Sequence, residues 1–317
     1  MTVAERPAER LTNPRADRVR KVASLAGRSA RQRTGLFLVE GPQAVREALL
    51  AWLAEHESPG DDASAHGARF RASQLDAVYF DDDVLSRHAD VAALVERLRT
   101  VLFDPARELA REDRIFLREA SGEVIAAMCD AVAPQGIVAV CRIPGRGRGT
   151  GFDVQGLRLG AALCRLQDPG NVGTVIRTAD AAGADVVLLS EGTVDVFSPK
   201  VVRSAAGSHF HLPLVPAAAL TEQVSELRAA GVQVLAAAGE GPTSLTDGGL
   251  RLGAPTLWLF GNEGAGLSAE EQELADDRVS IPLYGRAESL NVATAATVCL
   301  YASAMAQNAE PSDGDAA

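Results

Sequence analysis

The stretch that decides the fold is Gln167-Asp168-Pro169-Gly170-Asn171-Val172-Gly173-Thr174-Val175-Ile176-Arg177. It follows the apolar run 157–166, which predicts a buried strand, and its Pro-Gly pair predicts a turn before a helix over 172–182. Asn171 is well placed as the N-cap of that helix, with Arg177 in its second turn. A guanidinium inside an otherwise apolar stretch needs either a carboxylate partner or a phosphate from a ligand.

Strands alternate with helices throughout the second half of the chain. Strands are predicted at 157–166, 185–190, 210–215, 232–238, 256–260 and 278–283, and helices at 172–182, 199–206, 220–230, 269–275 and 290–306. This alternation predicts a mostly parallel sheet covered by helices on both faces. In such sheets, ligands bind at the loops that follow the carboxyl ends of the strands.

The first half predicts a smaller α/β region. Helices are predicted at 19–27, 43–56, 91–98 and 121–129, strands at 35–40, 77–80 and 136–141, and residues 115–117 fit either structure. Residues 57–68 carry few bulky apolar side chains and predict a mobile loop. The predicted organisation is a flexible lead (1–16), an N-terminal α/β domain (17–143), a Gly/Arg linker (144–154), a second domain (155–306) and a disordered acidic tail (307–317).

Composition excludes several classes of protein. The chain has 317 residues, 47% of them hydrophobic and 23% charged, which is typical of a globular protein of about two domains. The first residues lack an apolar segment typical of a signal peptide, and no apolar run approaches the roughly 20 residues of a membrane helix, which predicts a cytoplasmic protein. Four cysteines without CxxC spacing predict reduced, mostly buried thiols and no metal site.

Positive charge is concentrated near the start of a chain whose net charge is −11. Basic residues run from Arg10 to Arg33 and are opposed only by Asp17, which predicts a local phosphate-binding segment. A solvated helix face is the alternative interpretation. A second pair of cations, Lys200 and Arg203, lies on the predicted helix 199–206 and has the same two interpretations.

Two further loops follow predicted strands. The first, Phe260-Gly261-Asn262-Glu263-Gly264-Ala265-Gly266-Leu267-Ser268, carries three glycines that allow close approach of a ligand, without the GxxxxGK[ST] or GxGxxG pattern. Its Glu263 is either functional or simply an exposed acid in a turn. The second loop contains Ile281-Pro282-Leu283-Tyr284 and then Ser289-Leu290-Asn291. Capping of the last helix would by itself explain Ser289 and Asn291.

In this order and at these spacings, the three loops resemble the three sequence motifs of the SpoU/TrmH branch of the SPOUT methyltransferases, which methylate ribose 2′-hydroxyls in RNA. The resemblance covers roughly residues 155–306. It implies a C-terminal α/β trefoil-knot methyltransferase domain, with S-adenosylmethionine (AdoMet) bound in the knot and a homodimer formed through that domain. More loosely, Phe37-Leu38-Val39-Glu40-Gly41 resembles the small ribosomal-protein-like RNA-binding α/β domain that often precedes it.

The resemblance also implies roles for particular residues. The catalytic candidates are Arg177, Asn171, Glu263, Ser289 and Asn291. The candidates for AdoMet binding are Gly261, Ile281 and Leu290, followed by Leu189, Ser190 and Gly192. The candidates for RNA binding are Arg18, Arg20, Lys21, Arg28, Arg31, Arg33, Lys200 and Arg203.

Three alternatives concern the function. The preferred substrate is 23S ribosomal RNA, because the chain carries the extra N-terminal domain, and the alternative substrate is transfer RNA. A knotted protein that binds RNA without methylating it is the competing binding function, which the presence of all the motif residues disfavours. A nicotinamide-dependent dehydrogenase is disfavoured because no glycine-rich fingerprint follows a first strand.

Overall fold

The computed structural model describes residues 10–57, 75–144, 154–217 and 220–309. The strands are β1 (Leu36–Glu40), β2 (Leu75–Phe80), β3 (Phe116–Glu119), β4 (Ile137–Arg142), β5 (Leu159–Leu163), β6 (Val186–Ser190), β7 (Leu214–Ala217), β8 (Gln233–Ala237), β9 (Thr243–Ser244), β10 (Thr256–Phe260) and β11 (Asp277–Ser280). The helices are α1 (Asp17–Ala23), α2 (Arg28–Thr34), α3 (Pro42–Glu57), α4 (Asp82–Leu85), α5 (Ala89–Leu102), α6 (Gly122–Met128), α7 (Pro169–Ala181), α8 (Pro199–Ala205), α9 (Leu220–Ala229), α10 (Ala269–Glu273) and α11 (Val292–Gln307).

The chain forms two compact units. Unit 1 contains the described residues up to 144 together with 195–211, and unit 2 contains the described residues of 154–194 and 212–309. The predicted second domain, 155–306, is therefore interrupted by a segment that packs in unit 1. Val202 and Phe210 of this segment belong to the apolar core around α3 and α5. The ring centroids of Phe197 and Phe37 are 5.0 Å apart.

Unit 1 is built on a four-stranded mixed sheet in the order β1-β4-β2-β3. β4 is antiparallel to β1 and β2, whereas β2 and β3 are parallel. Alternate side chains enter two apolar cores, as in β1, where Phe37 and Val39 face one core and Leu38 the other. Helices α3 and α5 cover the first face and α1 and α6 the second, which explains why these strands are apolar on both sides.

Unit 2 contains a seven-stranded parallel sheet in the order β7-β6-β5-β10-β8-β11-β9. Helix α9 packs on one face through Leu220, Val224 and Leu227. Helices α7 and α11 pack on the other face, where the indole N–H of Trp258 donates to the hydroxyl of Ser303, 3.0 Å away. All seven strands are parallel, so their carboxyl ends share one edge of the sheet.

Most predicted elements are present within a few residues of their predicted bounds, and the last two of the undecided residues 115–117 belong to strand β3. The strand predicted at 210–215 is wrong at its start, because residues 208–210 form a 3₁₀ turn and β7 begins at Leu214. Strand β9 was not predicted. The predictions for residues 58–68, for the linker from 145 to 153 and for the tail from 310 onward lie outside the described residues.

Two further sequence expectations concern cysteines and membrane helices. Cys141, Cys164 and Cys299 are buried and Cys129 is half-buried. Desolvation by burial raises the pKa of Cys129, Cys164 and Cys299 to about 12, so these groups are neutral thiols. In the part of the chain that the structure describes, no helix combines the length and apolarity needed to cross a membrane.

Candidate active site

The predicted functional loops all leave the carboxyl edge of the unit 2 sheet. Residues 164–168 follow β5, residues 261–268 follow β10, and residues 281–291 lie between β11 and α11. The loop after β6 leaves the same edge beside the first of these. This arrangement confirms the expectation that parallel strands bring the three motifs to one place.

Helix α7 begins three residues earlier than predicted. Its N-cap is Asp168, whose carboxylate accepts the backbone N–H of Asn171 at 2.9 Å, and Pro169 occupies the first turn. The prediction that Asn171 caps this helix is therefore wrong. The longer helix also moves Arg177 from the second to the third turn. Since the cap is already occupied, the side chain of Asn171 is available to other loops.

The carboxylate of Glu263 is held by four N–H donors. Its Oε1 accepts from the backbone N of Asp168 at 3.0 Å and the amide of Asn171 at 3.3 Å, and its Oε2 accepts from the backbone N of Gln167 at 3.1 Å and the amide of Asn262 at 3.4 Å. Partial desolvation by burial raises the pKa of Glu263, but the hydrogen bonds outweigh it and the pKa lies below its ordinary value. With two donors on each oxygen, this carboxylate is an anchor for loops and not a free base.

A relay of two asparagines extends this anchor to the third loop. Asn291 caps α11 because its Oδ1 accepts from the backbone N–H of Ala293 at 2.9 Å and of Thr294 at 3.4 Å. Its amide N–H₂ donates to the Oδ1 of Asn171 at 3.0 Å, which leaves the amide of Asn171 to donate to Glu263. One hydrogen-bonded chain thus joins all three motifs.

Arg177 differs from these neighbours because it is exposed and makes no hydrogen bond or ion pair with any residue that the structure describes. It lies on α7 beside Thr178, whose hydroxyl is 3.2 Å from that of Thr297 on α11. Of the two partners that sequence reasoning allowed, the described residues provide no carboxylate. A phosphate or hydroxyl of a ligand is the partner that fits this position.

Gly261 is required by the shape of the second loop. A Cβ at this position would lie 2.3 Å from the backbone C of Gly266 and from the backbone N of Leu267. The loop closes on itself, because the backbone N of Asn262 donates to Gly266 O at 3.1 Å and the backbone N of Gly266 donates to Asn262 O at 2.8 Å. Any side chain at Gly261 would force this turn open.

The other candidates for cofactor binding surround the same edge. Leu189 is buried, whereas Ile281, Leu290 and Ser190 are half-buried and Gly192 has a φ of +87°. In the third loop, the backbone N–H groups of residues 283–290 donate to no described residue. Ser289 lies in this loop, is exposed, and does not cap α11. The edge therefore offers apolar side chains beside unused backbone donors.

Comparison with known proteins agrees with this geometry. The model of the SpoU rRNA Methylase family matches residues 158–301. The chain is also 44% identical over 185 residues to the 23S rRNA (guanosine(2553)-2′-O)-methyltransferase RlmP of Bacillus subtilis, covering 57% of this chain and 69% of that protein. The chain belongs to the SpoU methylase family.

Two further similarities extend the match. This SpoU methylase is 38% identical over 217 residues to the 23S rRNA (uridine(2479)-2′-O)-methyltransferase of Streptomyces viridochromogenes, covering 64% of this chain and 75% of that one. Its fold matches the crystal structure of the SpoU methyltransferase AviRb of the same organism in complex with AdoMet. The TM-score is 0.67 at 29% identity, over 92% of this chain and 97% of that one.

The predicted RNA-binding residues of this SpoU methylase fall into two groups. Lys21, Arg28, Arg33 and Lys200 are exposed, and none has an ion-pair partner among the described residues. The others have partners: Arg20 pairs with Asp17, Arg18 lies over the ring of Phe116 and donates to the hydroxyl of Tyr79, and Arg203 pairs with Glu40 and Asp130. The first group retains the charge that RNA phosphate needs.

Arg31 is the most strongly committed of these cations. Its side chain is 3% exposed, and its Nε and Nη2 donate to Asp195 Oδ2 at 3.0 and 2.6 Å. Its Nη1 donates to the carbonyl oxygens of Leu25 and Ala26. This geometry gives Arg31 a structural role in unit 1, and a contact with RNA stays a prediction.

Sequence reasoning missed three residues of the site. Asn262 and Gln167 lie inside the quoted loops, and a polar amide beside a glycine turn was the available signal. The side-chain amide of Asn262 donates to Glu263 and to the carbonyl oxygen of Arg165, and that of Gln167 donates to the carbonyl oxygen of Gly192. Arg165 is the second residue after β5 and has a φ of +58°. The sequence carries no signal for that conformation at an arginine.

Proposed function

We propose that this protein is an AdoMet-dependent RNA methyltransferase that modifies a ribose 2′-hydroxyl of 23S ribosomal RNA. The observation that carries the proposal is the contrast at the carboxyl edge of unit 2. Asn171 is hydrogen-bonded to both Glu263 and Asn291. Arg177 lies on the same helix as Asn171 and has no hydrogen-bond or ion-pair partner among the described residues. A rigid hydrogen-bonded frame that includes Asn171, on the helix that also carries the uncommitted guanidinium of Arg177, suits a site that orients an anionic substrate.

The residues of the site suit AdoMet. Leu189, Ile281 and Leu290 provide apolar surface for an adenine ring, and the unused N–H groups of residues 283–290 provide donors for its polar atoms. When bound, AdoMet supplies the sulfonium methyl group that is transferred. AviRb, whose fold this chain shares, binds AdoMet.

Arg177 orients the nucleophile in this proposal. Methyl transfer would form a bond between the ribose 2′-oxygen and the methyl carbon as the bond from that carbon to sulfur breaks, and the hydroxyl proton would pass to water. A guanidinium has five donors and no acceptor, so Arg177 cannot take that proton. It instead holds the hydroxyl oxygen or the neighbouring phosphate in line with the methyl group. Glu263 keeps the loops in place, because both of its oxygens are already occupied.

The substrate follows from the relatives and from charge. The relatives from Bacillus subtilis and Streptomyces viridochromogenes are both named as 23S rRNA 2′-O-methyltransferases. The exposed cations Lys21, Arg28, Arg33 and Lys200 belong to unit 1 and can contact phosphates of the RNA. Because ribosomal RNA is the substrate, we place the reaction in the cytoplasm.

The finer architecture is also part of this proposal. We infer a trefoil knot in unit 2. It is supported by the path of the chain after β11, which lies second from one edge of the sheet: the next helix, α11, returns to pack against the central strands β5 and β10. We infer a homodimer through the same unit. Exposed apolar side chains support it: Leu283 and Tyr284 in the third loop are 40% and 91% exposed, and Val298 and Met305 on α11 are 36% and 68% exposed.

The experiment is transfer of labelled methyl from AdoMet to purified RNA. Unmodified 23S rRNA and tRNA transcripts are tested separately, and mass spectrometry of the nuclease digest locates the methyl group. A 23S transcript with 2′-deoxyribose at the mapped nucleotide is the matched control. We expect label on one ribose of 23S rRNA and none on the deoxy control.

Other results would change the proposal. Label confined to tRNA would show that tRNA, and not 23S rRNA, is the substrate. Label on a base would show that the enzyme does not methylate the ribose. Binding of AdoMet and RNA without label in either pool would support the function of a knotted RNA-binding protein.

A further inference from the structure

Arg165 has a backbone conformation that arginine rarely adopts. It is the second residue after β5, and its φ of +58° lies in the left-handed region. Among the described residues, only Arg165 and Ala206 combine a positive φ with a Cβ. Such a conformation persists only where the surroundings hold it in place.

The backbone of Arg165 is fixed between the end of β6 and the loop that follows β10. Its N–H donates to the hydroxyl of Ser190, the last residue of β6, at 3.0 Å. Its carbonyl oxygen accepts the amide N–H of Asn262 at 2.9 Å, in the loop that follows β10. The left-handed turn is what lets one residue reach both neighbours.

The side chain of Arg165 adds a second connection to the β10 loop. Its Nε and Nη2 donate to the two carboxylate oxygens of Glu271 at 2.9 and 2.6 Å, and Nη2 also donates to Gly266 O at 3.2 Å. Glu271 in turn accepts the backbone N–H of Ser268 at 2.7 Å and closes the capping box of α10. The paired fork and carboxylate lower the pKa of Glu271 and keep it ionised.

We propose that Arg165, together with Glu271, is a positioning residue that holds the end of β6 and the loop after β10 in the shape that binds AdoMet. Ser190 ends β6 and Gly261 begins the loop after β10, and the sequence marks both as candidates for that contact. Arg165 itself supplies no group to the cofactor and acts through these two segments. This proposal rests on the proposed function, because it names what maintains the same site.

A second arginine–carboxylate pair of unit 2, at the other edge of the sheet, provides a control. Arg228, at the end of α9, has its Nη2 2.7 Å from Oδ1 of Asp276, which precedes β11. The two arginine side chains are similarly exposed, 38% for Arg228 and 35% for Arg165, whereas Asp276 is 43% exposed and Glu271 13%. Both pairs connect segments of unit 2, but only the Arg165 pair lies at the carboxyl edge.

The experiment compares Arg165→Gly, Arg165→Lys, Glu271→Gln and Arg228→Ala with the unmodified protein. Arg165→Gly removes the side chain while keeping a residue that accepts a positive φ, so folding is preserved. The readouts are the Kd of AdoMet by calorimetry, amide exchange of Asn262 and Gly266 without AdoMet, and the single-turnover rate at saturating AdoMet.

We expect Arg165→Gly to weaken AdoMet binding about tenfold and to speed amide exchange in the β10 loop, with less than a threefold change in the saturated rate. Arg165→Lys restores charge without the two-pronged geometry and should recover part of the affinity. The double variant Arg165→Gly/Glu271→Gln should lose about as much AdoMet affinity as Arg165→Gly alone, because both variants remove the same ion pair. Arg228→Ala should leave all three readouts unchanged.

The outcomes separate this proposal from the proposed function. An unmodified protein that binds AdoMet but methylates no RNA would contradict the function, while the binding and exchange data would still test Arg165. Unchanged AdoMet affinity and loop exchange in Arg165→Gly would overturn the role of Arg165. Equal effects from Arg165→Gly and Arg228→Ala would also overturn it, since any ion pair in unit 2 would then suffice.

Discussion

Arginine side chains serve opposite purposes at Arg31 and Arg203 of unit 1 and at Arg177 of unit 2. In unit 1, Arg31 is buried against Asp195, and Arg203 pairs with Glu40 and Asp130. At the carboxyl edge of unit 2, Arg177 is exposed and unpaired with respect to every described residue, although carboxylates and amides nearby are fully engaged.

This comparison distinguishes arginines that stabilise the fold from arginines that bind a ligand. Removing one partner of a buried ion pair leaves the other partner desolvated, so such an arginine is explained by folding. An exposed arginine beside saturated partners adds little to folding, so its position is explained by a ligand. We therefore expect substitution of Arg31 to lower the stability of the fold and substitution of Arg177 to lower the rate of methyl transfer.

The largest expected effect is on catalysis by Arg177→Ala. We expect the methyl-transfer rate to fall about 10³-fold, or about 4 kcal/mol, which is typical for loss of one preorganised donor. The Kd of AdoMet should stay within about threefold and the midpoint of thermal unfolding should not change, because the exposed Arg177 makes no hydrogen bond or ion pair with a described residue. Single-turnover methyl transfer, calorimetry and thermal unfolding measure the three quantities.

Arg251→Ala is the control for that variant. Arg251 is another exposed arginine of unit 2, in the segment before β10, at the amino edge of the sheet. The Arg251→Ala protein should methylate RNA at the same rate as the unmodified protein. A fully active Arg177→Ala protein, or one that unfolds at lower temperature with activity lost in proportion, would remove the distinction between the two classes of arginine.

The next effect concerns acid stability of unit 1 through His209. Burial lowers the pKa of His209 to about 4, and its Nε2–H donates to the carbonyl of Val196 while Nδ1 has no partner among the described residues. In the unfolded chain the imidazole titrates near 6.5, so unfolding takes up a proton between these values. Its stabilising contribution is complete above pH 6.5 and decreases as pH falls, by about 3 kcal/mol at pH 4.

The two tryptophans allow each unit to be followed separately. Trp52 lies in unit 1 and Trp258 in unit 2, and both are fully buried. In a Trp258→Phe background, the emission of Trp52 reports unfolding of unit 1. His209→Phe should flatten its pH dependence between 6.5 and 4, whereas His211→Gln should not. If His209→Phe kept the pH dependence of the unmodified His209 protein, other groups would control acid unfolding.

The sequence predicts unit 2 better than it predicts the boundary of unit 1. Strands such as β10 are short apolar runs between glycine and proline turns, so local pattern suffices. The segment 195–211 packs in unit 1, whereas the sequence pattern predicts it as part of the second domain. The apolar spacing of Val201, Val202 and Phe210 shows that a face is buried but not which core receives it. That choice depends on contacts far along the chain, which one sequence does not display.

The site shows the same limit. Both Asp168 and Asn171 are good N-caps, and Pro169 at the first helical position was the overlooked signal for Asp168. Motif spacing correctly brought Glu263, Asn171 and Asn291 together. It could not show that four donors saturate Glu263, nor that Arg31 alone among its basic neighbours is buried, because both depend on three-dimensional packing.

The smallest expected effect is on RNA affinity, and it tests the arginine comparison within unit 1 itself. Lys21, Arg28 and Arg33 are exposed, so replacing all three with Ala should lower affinity for 23S rRNA several-fold. It should also reduce the slope of log K against log salt by about one for each RNA phosphate that the variant no longer neutralises. Deleting the basic segment would be a poorer test, since Val19 and Leu25 within it are buried.

Arg31→Met provides the opposite case in the same segment. It should lower the unfolding free energy read from Trp52 by about 3 kcal/mol, because Asp195 loses its partner, while the salt slope of the folded protein stays unchanged. Filter binding over a salt series and denaturant unfolding measure the two quantities. If the triple variant kept its salt slope and Arg31→Met reduced it, exposure would not identify the cations that bind RNA. Arg31 would then have to leave Asp195 for phosphate when RNA binds.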